Sequence, residues 1–343
     1  MTITLNNPLD MHIHLREGRI LENVVNYTAD VFSASLVMPN LSKPITNTKM
    51  AINYKQTILE AYGKDDFIPI LSLYITPQLD INELKKAKDS GIKILKLYPK
   101  GATTGSESGI DNVLDSKTLD IFYMAQELDF ILSIHGESGG FSMNREYEFI
   151  PVIEEITRNF PKLKIIMEHL SDRRSIKLLE KYDNVFATIT LHHILMTLDD
   201  LLGSKLNPHY FCKPILKTKQ DRDALLELVL SGNHKVSFGS DSAPHVEANK
   251  LNNMAMAGIF STPILLPKLC EIFEEHNKLE NLQKFISDNA IKIYELENIP
   301  SKKVTLEKKG FKVPDAIYLD SNRIIPLLAE QMVSWSIVDI KTF

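Results

Sequence analysis

Short apolar runs recur along this chain, each followed by a longer amphipathic, charged stretch. The runs are MHIHL (11–15), SLVMPN (35–40), FIPILSLYI (67–75), IKILKLYP (92–99), FILSIHGE (130–137), LKIIMEHL (163–170), VFATITLHH (185–193) and KVSFGSDS (235–242). Between them stand helical patterns such as NTKMAINYKQTILEAY, DINELKKAKDS and DRDALLELVLSG. Near-continuous Ile, Val and Leu runs alternating with helices predict a parallel sheet covered on both faces. Eight cycles predict an α/β protein of the closed (β/α)8 TIM-barrel form. An open doubly wound sheet usually carries a Gly-rich phosphate turn after an early strand, and no G-x-G-x-x-G occurs here.

After about residue 290 the pattern changes. VPDAIYLD and MVSWSIVDI read as short strands packing beside the barrel, too short for an independent domain. No low-complexity tract, tandem repeat or linker interrupts the chain. The expectation is therefore one barrel domain over residues 1–343, beginning almost at residue 1, with a short C-terminal appendage.

Composition narrows the function classes. The chain is 44% apolar and 24% charged with a net charge of −5, which gives no reason to expect a nucleic-acid partner. No run approaches the ~18 apolar residues of a membrane span, and no basic-then-apolar leader opens the chain. Cys212 and Cys270 form no C-x-x-C pair and suit a reducing compartment. A cytoplasmic protein without membrane or nucleic-acid partners is expected.

The unusual polar residues fall where the predicted strands end. The first strand offers His12 and His14, which share a face by the period of two, with Arg16 continuing the row. Asn40 follows the second strand, Lys96 lies in the fourth, His135 in the fifth, His169 in the sixth and Asp241 after the eighth. Barrel enzymes carry their chemistry on that rim. Four of the ten histidines with one Asp suit zinc or a similar divalent ion, and their number makes two ions plausible. Two dications need an anionic bridge. On the residues alone, Lys96 reads first as a lysine reaching for the rim or gripping a substrate carboxylate. The other reading is a carbamate, formed with carbon dioxide, that bridges two metals.

Taken in order, DMHIHLREG, VMPN, KLYPKGATT, IHGE, EHLS, FCKPILK and GSDSAPH resemble the amidohydrolase superfamily, and within it the short, stand-alone bacterial dihydroorotases. The resemblance covers nearly the whole chain. It implies that His12, His14 and Asp241 bind the more buried of two zinc ions and that His135 and His169 bind the other. A carboxylated Lys96 (N6-carboxylysine) and a hydroxide would bridge them. It also implies reversible cyclisation of N-carbamoyl-L-aspartate to (S)-dihydroorotate, with Asp241 as general base or acid, in a homodimer. Arg16, Asn40 and His245 would bind the substrate's free carboxylate, while Ala257 and the backbone of Lys213 would meet the ring's polar edge. Lys213 departs from the apolar residue usual in relatives, so its ammonium matters only if it faces the site.

KGATTGSESG (100–109) has no helical or strand period and springs from the rim. It is expected to close as a lid over carbamoyl-aspartate and to be looser with dihydroorotate, Thr103 and Thr104 donating to the substrate. His192 and His193, read at the end of the seventh strand, are expected to be structural because the ligand set is already complete. Cys212 has no evident adjacent base. Two rivals remain: another cyclic-amide hydrolase of hydantoinase or allantoinase type, and an inactive assembly paralogue. The carboxylate donors argue against the first and the full ligand set against the second.

Overall fold

Eight parallel strand positions follow one another around a closed barrel in the computed structural model, which describes residues 1–343. They are Leu9–Ile13, Ala34–Val37, Ile68–Ile70 continued by Ser72–Tyr74, Ile94–Leu97, Ile131–Ile134, Lys164–Met167, Val185–Ile189 and Val236–Phe238. All eight runs read from the sequence overlap a strand, the first two starting one or two residues inside it. The third is interrupted at Leu71: its first half pairs with Ala34–Val37 and its second with Ile94–Leu97. Closure comes from the first and last strands. Ile13 bridges Ser242, the Asp241 N–H donates to the His12 carbonyl at 2.8 Å, and the His14 N–H donates to the Ser242 carbonyl at 3.1 Å.

The period of two sorts side chains into two cores. Leu95, Leu97, Leu132, Ile134, Ile165 and Met167 point outward into a cluster of 72 buried residues shared with the helices. Ile94, Ile131 and Ile166 point inward and meet Leu9, Met11 and Leu36. Ala290, Ile293 and Tyr294, from the helix Asn289–Tyr294, close this inner cluster from below. Once Ile94 faces inward, Lys96 must as well; Ile131 likewise aligns Ser133 and His135, and Ile166 aligns Glu168. The barrel is thus apolar at its floor and polar at its rim.

Helices follow most strands, and their limits have local causes. Asn47 caps the helix Thr48–Tyr62 by accepting the Met50 N–H, and Gly63 ends it at φ 73. Thr218 and Asp221 form a capping box at the start of Lys219–Leu230.

The residues at both chain ends form a separate antiparallel sheet. Lys302–Glu307 lies between Thr2–Asn6 and Ser336–Thr342. The sequence reading caught the last of these strands but not the first two, whose short alternation carried no distinguishing signal. A small antiparallel pair, Phe311–Lys312 with Met332–Val333, and the hairpin of Ile317–Leu319 with Asn322–Ile324 complete this region. Lys302 ties it to the barrel. Its side chain is fully buried, and Nζ donates to the carbonyls of Ala29, Asp30 and Phe32 at 2.6, 3.2 and 3.2 Å, just past the helix Gly18–Ala29.

Lys302→Met keeps the aliphatic stem but leaves those carbonyls without their ammonium. The expected loss is about 2–4 kcal/mol of stability, read as a shift of the urea midpoint. A midpoint equal to wild type would show that the carbonyls find other partners.

Candidate active site

The first strand delivers two imidazoles to the same interior by departing from regular pairing. Its register against Ala34–Val37 shifts between Asp10 and Ile13, so an extra residue is accommodated where Met11 and His12 lie. The row expected to continue straight to Arg16 bends instead: Arg16 has φ 61. His169 and Asp241 are also left-handed, at φ 42 and 46. Such non-glycine conformations cost ~1–3 kcal/mol each and persist where neighbours over-determine them. Here the Asp241 N–H is held by the His12 carbonyl at 2.8 Å and the His169 N–H by Thr188 Oγ1 at 2.8 Å.

Two groups of ligating atoms result. His14 Nε2 and His12 Nε2 lie 3.0 and 3.4 Å from Asp241 Oδ1. His135 Nδ1 lies 3.0 Å from His169 Nε2. The groups adjoin, with the His12 and His169 ring centroids 5.0 Å apart. His12 Nδ1 donates to Glu168 Oε2 at 2.7 Å and His135 Nε2 donates to Glu137 Oε2 at 2.9 Å. Those bonds leave His12 Nε2 and His135 Nδ1 as lone pairs. Burial, with neighbouring positive charges, pushes the His14 and His169 pKa values well down, so both rings are neutral ligand forms.

Lys96 stands among these atoms. It is fully buried, Nζ has no hydrogen-bond partner, and the ammonium lies 5.0 Å from the Tyr98 ring centroid. Burial brings its pKa down to about 8 despite the pull of Glu168 and Asp241. The residues fit a divalent metal centre. Neutral imidazoles and a carboxylate converge, His169 Nδ1 is also unpartnered, and two nitrogens facing each other at 3.0 Å approach the separation of ligands on one ion.

Beside the ligand groups, His14, Arg16, Asn40, Thr103, Thr104, Lys213, Asp241, Ala243, Ala257 and Gly258 line a cavity of ≈ 20 Å³. The expected substrate residues therefore share one small space, except His245, which stands behind Arg16. His245 Nε2 is 2.9 Å from Arg16 Nη2 and 3.0 Å from the Ala257 carbonyl, and burial with the Arg16 charge lowers its pKa to about 2. The 100–109 loop covers the cavity. Asn40 Nδ2 donates to the Thr104 carbonyl at 3.1 Å, and Thr104 Oγ1 donates to the Ala257 carbonyl at 3.5 Å. At the loop's base a Cβ on Gly109 would lie 2.3 Å from the Tyr98 carbonyl, so close backbone approach requires glycine there.

The profile of the Amidohydrolase family matches residues 9–299. A dihydroorotase of Helicobacter hepaticus is 56% identical over 336 residues, covering 98% of both chains. The chain belongs to the amidohydrolase family, and within it to the dihydroorotases. The crystal structure of the Campylobacter jejuni dihydroorotase superposes with a TM-score of 0.93 at 41% identity, covering 98% of this chain and 97% of that one. The Saccharomyces cerevisiae dihydroorotase, solved in complex with 5-fluoroorotic acid, gives 0.92 at 36% identity and 98% coverage of both.

Two buried carboxylates that the sequence pattern does not single out stand behind the ligand imidazoles, Glu168 on His12 and Glu137 on His135. Glu168 also accepts from Ser133 Oγ at 2.5 Å and Thr188 Oγ1 at 2.6 Å. Burial opposes its ionisation, but His12, Lys96 and these donors outweigh that and bring its pKa to about 2. The signal was present: Glu168 immediately precedes His169, and Glu137 follows His135 by two. Lys250 was also missed. Its Nζ donates to the carbonyls of Phe211, Met256 and Gly258 at 2.9, 2.9 and 2.7 Å, clamping the two loops that carry Lys213 and Ala257.

His192 and His193 do not end the seventh strand, which stops at Ile189; they lie on the short helix Leu191–Leu195, capped by Thr190. His193 is engaged at both nitrogens, by Thr190 Oγ1 at 2.9 Å and the Pro214 carbonyl at 3.0 Å, while His192 is buried with neither engaged. With Cys212 they bring one donor atom each within 4.8 Å of one another. The Cys212 thiol is pushed up by burial and bonds the Pro214 carbonyl at 3.2 Å, which does not make it a nucleophile.

Glu168→Gln retains shape but loses the charge that holds the His12 ring proton. Metal affinity is expected to fall about 10–100-fold, read by metal analysis after graded chelation. Retention equal to wild type would show that His12 needs no such anchor.

Proposed function

We propose that this dihydroorotase interconverts N-carbamoyl-L-aspartate and (S)-dihydroorotate at a centre of two zinc ions, with Lys96 as a bridging carbamate. His12, His14 and Asp241 would hold one ion, and His135 and His169 the other. The observation that carries this reading is the Lys96 Nζ, wholly buried without a partner and close enough for its charge to act on His12, His14, His169 and Asp241. Burial, which lowers its pKa to about 8, supplies the neutral amine that attacks carbon dioxide. A carbamate there would turn an unpaired cation into the anion that two dications require. Bound in this place, the ions supply an acidified water and a polarised amide carbonyl.

The remaining work belongs to the chain's own groups. Arg16 presents a guanidinium to the cavity from a bent backbone, fixed by Nε donating to the Pro244 carbonyl at 3.2 Å. With Asn40 it suits a carboxylate, and His245 steadies its other end. Ala257 and Lys213 line the cavity, and their main chains would read a ring's amide edge. Burial raises the Asp241 carboxyl above its ordinary range, which suits a group that takes the proton in one direction and returns it to the ring nitrogen in the other. Thr103 and Thr104 close the loop over the cavity and exclude bulk water, and release of dihydroorotate would loosen it. The yeast relative is solved with 5-fluoroorotic acid, a carboxylated pyrimidine, which supports a carboxylate-bearing ring as the ligand class. We infer further that the enzyme acts as a cytoplasmic homodimer; no helix is long and apolar enough to cross a membrane.

Two outcomes are expected. Lys96→Ala should abolish ring opening, followed by ultraviolet absorbance, with partial return on adding short carboxylic acids; full activity without them would remove the bridge. Arg16→Met should keep the metal content and lose about 2–5 kcal/mol in kcat/KM for dihydroorotate. Wild-type rates, or a gain on uncharged hydantoins, would favour the hydantoinase reading.

A further inference from the structure

Two cations line the cavity, and they differ in what holds them. Arg16 is tied back to Pro244 and His245. Lys213 is half-buried in the same lining, its Nζ makes no hydrogen bond, and no carboxylate lies within 4 Å of it. Its charged neighbours are Glu137, which attracts it, and Arg145, which repels it. A partly dehydrated ammonium with no fixed partner, carried by a residue of the cavity lining, is a counter-charge free to swing toward the space that a substrate would fill.

The backbone at this position is held by other groups. Lys250 Nζ and the Gly258 N–H both donate to the Phe211 carbonyl at 2.9 Å, and His193 Nε2 donates to the Pro214 carbonyl at 3.0 Å. The side chain of Lys213 is therefore separable from any role of its main chain.

We infer that the Lys213 ammonium determines specificity between the two ends of the reaction, favouring the open, doubly anionic substrate over the singly anionic ring. The inference rests on the reaction proposed above. There, the N-carbamoyl-L-aspartate dianion and one proton give the dihydroorotate monoanion and water. The ureido nitrogen bonds to the side-chain carboxyl carbon, and one carboxylate oxygen leaves as water with the ureido proton and the added one. Arg16 answers the carboxylate common to both molecules. Lys213, the cation of the lining with no fixed partner, adds to the attraction for the charge that exists only in the open form. An ammonium of this kind stabilises the open complex and the transition state alike, and the ring complex little.

That assignment has a kinetic signature. The equilibrium constant fixes the ratio of kcat/KM in the two directions, so one substitution must lower both by the same factor. Stabilisation shared by the open complex and the transition state appears as KM in ring closure and as kcat in ring opening. Lys213→Met is expected to raise KM for N-carbamoyl-L-aspartate about tenfold with kcat nearly unchanged. With dihydroorotate, KM should stay within about twofold while kcat falls by the factor seen in the other direction. Lys213→Arg should restore most of both. In wild-type enzyme, added salt should raise KM for the open substrate more than for the ring, and the Met variant should lose that difference. Lys213→Gln, polar but uncharged, repeats the kinetics and the salt series, so the question is decided even if the Met variant folds poorly. Equal effects on both KM values, unchanged constants, or salt effects indifferent to substrate would overturn the inference. A wild-type enzyme that interconverts neither compound would overturn the proposed function instead.

Discussion

The hydrogen bond from the Asp241 N–H to the His12 carbonyl, 2.8 Å long, joins the first barrel strand to the end of the eighth. Every feature of the site depends on that closure. It sets Asp241 Oδ1 3.0 Å from His14 Nε2, and it supports a left-handed backbone at Asp241 that an open sheet would relax. With the ring closed, the inward row of each strand meets those of its neighbours across a narrow interior. Lys96, His135, Glu168 and the first-strand imidazoles then have nowhere else to go.

Confinement makes charge the dominant energetic problem. Lys96, Glu168 and Asp241 are all buried within one polar cluster. Desolvation disfavours each ion by itself, and removing one partner of such a set costs more than the set contributes. Glu168 remains ionised because His12, Ser133 and Thr188 donate to it, and in doing so it fixes the tautomer of His12. A centre built this way is poised for cations, since neutral imidazoles and the Asp241 carboxylate converge there.

Around the cluster the fold supplies a second layer of control through main-chain carbonyls. Lys250 gathers three of them, and the walls carrying Lys213 and Ala257 are thereby held together. The 100–109 loop closes on those walls through Thr104. The cavity can be small and shaped because its sides are pinned by buried donors rather than by loop stiffness.

Much of this was legible along the chain. The eight apolar runs marked the strands because a sheet covered on both faces needs continuous Ile, Val and Leu. Polar residues breaking those runs marked the rim, because burial penalises them anywhere without a purpose. What the pattern alone left open, the three-dimensional arrangement decided. Thr2–Asn6 and Lys302–Glu307 alternate polar and apolar residues without a continuous apolar run, and become a sheet only by pairing with each other and with Ser336–Thr342. His192 and His193 continue an apolar run in sequence yet sit on a helix, because Thr190 caps the chain there. Glu168 and Lys250 act through partners distant in sequence, and no local period encodes such contacts. Alternation along a strand determines which side chains share a face; which faces meet, and at what distance, follows only when the barrel closes.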